Sequence, residues 1–187
     1  MLNTDSRIEV HYAPRERAIR LLSGEAIFRV KHDAARPFRV ISGHTVVQAV
    51  GTEFNVYRKE DATIVSVLEG RVAILSAPVI RYVDAGEQIQ LNDHDVSSSK
   101  RKANMRNVAS WRDRRLTFVD EPLSSIGEEL NRYNRTLKIL VEGDVARQLR
   151  YTAMLEVDDP QSLIAVLAGD SRVIVIERPG EIVVRSR

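Results

Sequence analysis

The chain has 187 residues, 43% of them hydrophobic, which is enough for one large domain or two small ones, each with a hydrophobic core. Its formal net charge of +2 divides as +1 over residues 1–91, +2 over 92–110 and −1 over 111–187, so no segment has the dense basic face that binds nucleic acid. No apolar run reaches the roughly 18 residues that indicate a membrane span, and the absence of cysteine excludes disulfides and thiol chemistry.

Short β-prone runs separated by turn residues fill residues 1–91. Several runs alternate apolar and polar side chains, as half-buried strands do. Glycines such as Gly24, Gly51 and Gly70 fall between the runs, where the chain needs a tight reversal or a positive φ. The pattern predicts an all-β domain over 1–91, either a sandwich or a solenoid-like stack of coils. Its expected strands are 8–12, 18–22, 26–30, 38–41, 45–50, 53–57, 63–68, 71–75 and 88–91.

Residues 92–110 are polar and nearly free of large apolar side chains. They include a run of serines, Ser97, Ser98 and Ser99, followed by three basic residues. This composition is typical of a linker between domains.

The periodicity changes after residue 110. Leu123, Ile126, Leu130 and Tyr133 fall on one helical stripe, and Pro122 suits a first turn. A β-prone run over 137–142 follows, which predicts a helix and then a strand.

A short pattern then repeats, because residues 119–126 resemble 157–164, and each copy leads into a helix and a strand. Residues 151–157 predict another strand, and 173–185 predict a hairpin that turns at Pro179 and Gly180. Repeated β-α-β units within about eighty residues indicate a small α+β domain over 111–187.

Nothing in the sequence favours an enzyme. His32 and Asp33 are adjacent, as are Asp93, His94 and Asp95, but neighbouring residues on a strand point to opposite faces and make poor chelates. The serine run lacks the glycine-flanked elbow of a serine hydrolase, and the scattered glycines form no phosphate-binding loop. We therefore predict no catalytic, cofactor or metal site.

Several segments resemble motifs of the FecR family, in the family's order and spacing. Residues 22–30, 33–40, 51–56 and 68–72 match its β-rich part, and 111–118, 122–123 and 130–134 match a later part. The motif residues for which we expect structural roles in turns and core contacts are Gly24, Glu25, Phe28, Arg36, Pro37, Phe38, Gly51, Thr52, Phe54, Glu69 and Gly70. Residues 111–187 also resemble the STN domain, the short N-terminal domain of secretins and TonB-dependent receptors.

The resemblance implies a regulator and not an enzyme: the periplasmic sensor part of an anti-sigma factor in the inner membrane of a Gram-negative cell. Family members carry a sigma-factor-binding segment and one membrane helix before the matched region, so we expect this chain to be an excised, N-terminally truncated periplasmic portion without membrane contact. Its implied partner is the N-terminal signalling domain of a TonB-dependent outer-membrane transporter, often one that imports an iron chelate. A sigma factor would be reached only through the absent segment.

Three features are candidates for partner contact. The terminal run Glu181, Ile182, Val183, Val184 and Arg185 would accept a partner strand if it lies at a sheet edge. Trp111, the only tryptophan, either packs at the start of the second domain or anchors a partner. Arg132 should face water on the helix that ends at Asn134. The alternative to the regulator is a periplasmic structural or carbohydrate-associated module with no sigma-factor pathway.

Overall fold

Backbone contacts divide the chain into two units, Met1–Ala109 and Ser110–Arg187, called here the first and second unit. The computed structural model describes residues 1–76, 79–93 and 98–187. In these ranges no helix combines the length and the apolar character that crossing a lipid bilayer requires.

The first unit is built mainly from strands, as its alternating sequence predicts, and it ends with a short helix, α1 (Met105–Val108). The strands are β1 (Arg7–Ala13), β2 (Glu16–Arg29), β3 (Phe38–Ser42), β4 (Thr45–Ala49), β5 (Glu53–Lys59), β6 (Ala62–Glu69), β7 (Arg71–Ser76), β8 (Val79–Asp84), β9 (Glu87–Asn92) and β10 (Ser98–Lys102).

These strands form one ten-stranded sheet in the order β10-β9-β6-β5-β2-β3-β4-β7-β8, with β1 added beside β2. Strand β2 joins the two halves of the sheet, because its first half pairs with β1 and β3 and its second half pairs with β5. Side chains from both halves meet in one buried cluster that includes Phe54, Val40 and Ile74. The first unit is thus formed mainly by strands, as predicted, and its sheet curls around a single core.

Gly24 lies inside β2 and not between two strands, which corrects the predicted break at 23–25. Its φ is +78°, and a Cβ built there would come within 2.4 Å of the Ser6 side chain. Only glycine fits this position without strain. The strand continues through it and changes partners there.

The polar segment 92–110 differs from the predicted linker. Ser98–Lys102 form β10, which pairs with β9, and Met105–Val108 form a helix. Lys100 bonds Glu87 with an N···O distance of 2.6 Å, and Arg101 donates to Gln88 at 3.1 Å. Because the pairing is carried by backbone groups and exposed polar side chains, the strand has no apolar alternation that the sequence could reveal. His94, Asp95 and Ser97 lie outside the described residues.

The second unit is mixed α and β, and it begins with a 3-10 turn at Ser110–Asp113. Its elements are β11 (Arg115–Pro122), α2 (Leu123–Tyr133), β12 (Lys138–Glu142), α3 (Asp144–Gln148), β13 (Arg150–Glu156), α4 (Ser162–Leu167), β14 (Val173–Arg178) and β15 (Glu181–Ser186). Strands β11 and β13 form one sheet, and β12-β15-β14 form another.

Helix α2 forms where the apolar stripe predicts it. Leu123, Ile126 and Leu130 are fully buried, and Gly127 lies against β12, where an added Cβ would be 3.2 Å from Ile139. The side chain of Asn131 fixes the helix to the strand, since it accepts from Ile139 N at 2.7 Å and donates to Ile139 O at 2.8 Å.

Candidate partner-binding surface

The terminal strand β15 is the central strand of its sheet, which corrects the prediction that it is an outer strand. It pairs in parallel with β12 and antiparallel with β14, so both of its edges are occupied. Ile182, Val183 and Val184 are at most 1% exposed. Glu181 and Arg185 lie on the same strand and pair with residues of both neighbours. No partner strand can add to β15.

The two other candidate contact residues also have little exposed surface. Trp111 is 8% exposed and lies in the 3-10 turn before β11, which agrees with the alternative that it packs at the start of the second domain. The Arg132 side chain is 17% exposed and bonds Glu129 at 2.5 Å, one turn earlier on α2. Arg132 was predicted to face water, but this ion pair and the Tyr133 ring, 5.9 Å from the guanidinium carbon, hold its side chain against the helix.

The motif phenylalanines of the first unit form an aromatic cluster. The ring of Phe28 lies 5.7 Å from that of Phe38 and 5.4 Å from that of Phe54, measured between centroids. All three are buried, and Phe54 is fully inaccessible. The residues are far apart in sequence, so the cluster holds β2, β3 and β5 together.

Glu25 is a carboxylate buried in the first unit, with 6% of its surface exposed. It accepts from Asn3 Nδ2 at 2.6 Å and from Asn55 Nδ2 at 2.8 Å. Its backbone N–H donates to Ser6 Oγ at 2.8 Å. These bonds connect the segment 1–6 to β2 and β5, and they satisfy a charge that would be costly to bury alone.

The remaining motif residues shape turns. Gly51 and Thr52 precede β5, and Val30 N donates to Thr52 O at 2.9 Å. Gly70 has a φ of +81°, and a Cβ there would lie 2.9 Å from the Thr52 methyl group. Glu69 ends β6, beside Glu53 on β5.

The turn before β3 holds the motif residues Arg36 and Pro37. The Arg36 guanidinium bonds Asp33 at 2.9 Å, and its backbone N–H donates to the same carboxylate at 3.1 Å. Half-buried Pro37 leads into Phe38. Asp33 is thus engaged in a turn and not in a dyad with His32.

Metal ligands do not cluster in the described part of the chain, where no group of three or more histidine or acidic side chains could hold an ion. Asp93, one of the residues considered as a ligand, bonds Arg58 at 2.5 Å.

The three-stranded sheet of the second unit has two edges that differ in how their backbone groups are used. On β12 the outward groups are covered by side chains: Asn131 bonds both the N–H and the C=O of Ile139, and Arg147 Nε donates to Val141 O at 3.2 Å. Among the described residues, β15 is the only strand that pairs with β14. The β14 edge is therefore open.

A groove of about 450 Å³ runs beside this open edge. It is lined by Ile164 and Leu167 of α4 and by Val173, Ile174 and Val175 of β14. Successive residues of a strand point to opposite faces, so a groove that contacts three in a row follows the edge and not one face.

A polar network fixes the start of β14. Asp170 accepts from the Tyr151 hydroxyl at 2.6 Å and from the Arg172 guanidinium at 2.6 Å. The Arg172 guanidinium and the Tyr151 hydroxyl hold the pKa of the Asp170 carboxyl well below its usual range. Burial, with the neighbouring carboxylate, raises the pKa of Tyr151 to about 12. The network joins β13 to the loop that leads into β14.

Sequence reasoning identified the terminal hairpin but missed which of its strands is the edge. The order of the strands depends on the pairing of β12 with β15, and no local sequence pattern predicts a pairing between such distant segments. Tyr151, Asp170 and Arg172 were also missed, because Tyr151 is distant in sequence from the other two.

The first unit contains the part of the chain that matches a known protein family. Residues 1–73 match the family model described as FecR protein. The match ends within β7 and includes the aromatic cluster and Glu25. No curated protein matches this chain significantly.

The fold of the whole chain resembles that of a solved structure. Two crystal structures of a candidate anti-sigma factor from Parabacteroides distasonis, at 1.65 and 2.50 Å resolution, superpose with TM-scores of 0.85 and 0.84. Each is 22% identical in sequence, and the alignments cover 100% of this chain and 89% and 88% of those chains. At that identity the likeness establishes the fold.

Proposed function

We propose that this chain is the periplasmic sensor part of a FecR-like transmembrane regulator that controls an extracytoplasmic-function sigma factor. The observation that carries the proposal is the FecR match over residues 1–73. The fold shared along the entire chain with a candidate anti-sigma factor supports it.

The signal would come from the N-terminal signalling domain of a TonB-dependent outer-membrane transporter, and residues 111–187 would form an STN-like domain that receives it. Two β-α-β passages in the second unit, β11-α2-β12 and β13-α4-β14, support the STN-like assignment. A signal of this kind requires that the two signalling states of the transporter bind the sensor with different affinity.

Calorimetric titration against purified signalling domains of transporters from the same organism tests this function. We expect saturable binding to one domain and none to the same transporter with that domain deleted. A folded chain that binds no signalling domain would contradict direct reception of the signal.

A further inference from the structure

We propose that the open edge of β14 is the docking site, and that its occupant is an extended strand of the transporter's signalling domain that adds to the sheet β12-β15-β14. The identity of this partner rests on the proposed function. The location of the site rests on three observations in the second unit, whose residues are all described.

The first observation is the direction of the backbone groups of β14. Arg187 N donates to Arg172 O at 2.9 Å, which makes that pair a hydrogen-bonded one. Hydrogen-bonded pairs alternate along an antiparallel ladder, so the N–H and C=O groups of Val175 and Glu177 point away from β15. They form the ladder that an added strand would use.

The second observation is that the edge is held in strand geometry before any partner arrives. The Asp170 network fixes its start, and the tight turn at Pro179 and Gly180, where Gly180 has a φ of +78°, fixes its end. A preorganised edge loses little conformational entropy on binding.

The third observation concerns charge and polarity along the groove. Asp170 and Arg187 are the charged residues that line it. Asp170 is neutralised by Arg172, whereas the Arg187 side chain makes no ion pair in the described structure. The complementary strand thus carries apolar side chains at the groove-facing positions and a carboxylate near Arg187.

Two proline variants test the edge directly. Val175→Pro removes an outward N–H from β14 and leaves the hairpin ladder with β15 in place. Val141→Pro is the matched control, since Val141 is a half-buried valine on β12 at an outward position of the covered edge. Circular dichroism of both variants checks that they fold.

The probe for the edge is a seven-residue peptide that alternates threonine and valine and ends in glutamate, titrated by NMR. We expect Val175→Pro to weaken its binding at least about tenfold, as loss of paired hydrogen bonds would, and Val141→Pro to change it less than about twofold. Equal losses in both variants, or none in either, would overturn the proposal. The amides of Val175 and Glu177 should gain exchange protection in the wild-type complex.

A charge exchange gives a second measurement that does not depend on proline. Arg187→Glu should weaken binding of the glutamate peptide about threefold and strengthen binding of its lysine-ended counterpart by a similar factor, as an exposed ion pair allows. Unchanged affinities in both titrations would contradict the proposal that the partner strand carries a carboxylate near Arg187.

Titration with the signalling domain separates this inference from the proposed function. A domain that binds wild type and Val175→Pro equally would overturn the edge while leaving the function intact. If no signalling domain binds the wild-type chain, the proposed function and the proposed occupant are both wrong. The peptide titration then still shows whether the β14 edge accepts an added strand. A dimer of this chain that Val175→Pro abolishes would assign the edge to a second copy and contradict the proposal.

Discussion

The two units differ in where they keep their polar groups. Among the described residues, every buried polar side chain lies in the first unit: Glu25, Ser42, Thr45, Thr52, Asn55, Thr63 and Ser66. Those that are hydrogen-bonded to each other, Glu25 to Asn55 and Ser42 to Thr63, select one arrangement of the strands around them. The second unit has an apolar interior and places its polar contacts near the surface, at Asn131 and Asp170.

This difference suggests a division of roles. Under the proposal, the first unit is a scaffold whose geometry is determined by its buried polar groups, and the second unit offers the free edge of β14 to a partner. The contrast is open to direct test, because each unit has its own core and its own polar network.

The largest expected effect on the free energy of unfolding comes from removing a core side chain from one unit at a time. Phe54→Ala should destabilise the first unit by about 3–5 kcal/mol and Leu130→Ala the second by about 2–5 kcal/mol, since both side chains are fully buried. Urea unfolding followed by two signals checks this. The fluorescence of Trp111 reports on the second unit, and the β-strand signal in circular dichroism comes mostly from the first unit. If either substitution shifts both transitions equally, the units are not independent.

The next effect concerns the buried carboxylate. Glu25→Ala removes the carboxylate that accepts from the side-chain amides of Asn3 and Asn55, and it should cost about 1–3 kcal/mol because the Asn55 amide is buried. Glu25→Gln keeps one acceptor oxygen and should cost less. Equal urea midpoints for the two variants would show that the amides do not depend on Glu25.

A smaller effect is expected at Gly24. A methyl group at this positive φ would overlap Ser6, so Gly24→Ala should destabilise the first unit by more than about 1 kcal/mol. Gly169→Ala is the control, because no atom lies within 4 Å of its added Cβ, and it should stay within about 0.5 kcal/mol of wild type. Thermal unfolding of the pair measures the difference.

The smallest effect belongs to the Tyr151 network. Tyr151→Phe removes one hydrogen bond to Asp170 and should cost about 1 kcal/mol. Because the folded pKa of Tyr151 is raised to about 12, its contribution is fully present below the ordinary tyrosine pKa near 10 and is lost as pH rises through 12.

The pH dependence has an acid limb as well. The pKa of Asp170 is lowered in the fold, so its contribution to stability is present above the ordinary aspartate pKa and is lost as pH falls below it.

The contribution of Tyr151 is measured on the alkaline side. Urea midpoints of the second unit should fall between pH 9 and 12 in wild type and change less in Tyr151→Phe. Parallel curves for the two proteins would contradict this role of Tyr151.

The sequence predicts the local elements of this fold well, and the reasons are physical. Alternation identifies most strands of the first unit, and the stripe from Leu123 to Leu130 identifies α2, because each pattern reflects burial of one face. Strand β10 was missed since its residues are exposed and polar. Strand β8 was also missed, and its apolar residues Val79, Ile80 and Tyr82 are 40% or more exposed, so burial of one face does not define this strand.

Long-range pairing lies beyond such patterns. The hairpin of β14 and β15 follows from its turn, but the insertion of β12 beside β15 makes the predicted edge a central strand. The proposed site is therefore on Val173–Arg178 and not on the predicted residues 181–185, which form the other strand of the hairpin.

Hydrogen-exchange mass spectrometry with a saturating signalling domain tests the division of roles most directly. We expect protection concentrated at residues 173–178 and the adjoining end of α4, with exchange in the first unit unchanged. Protection concentrated in residues 1–109, with 173–178 exchanging as in the free chain, would contradict it.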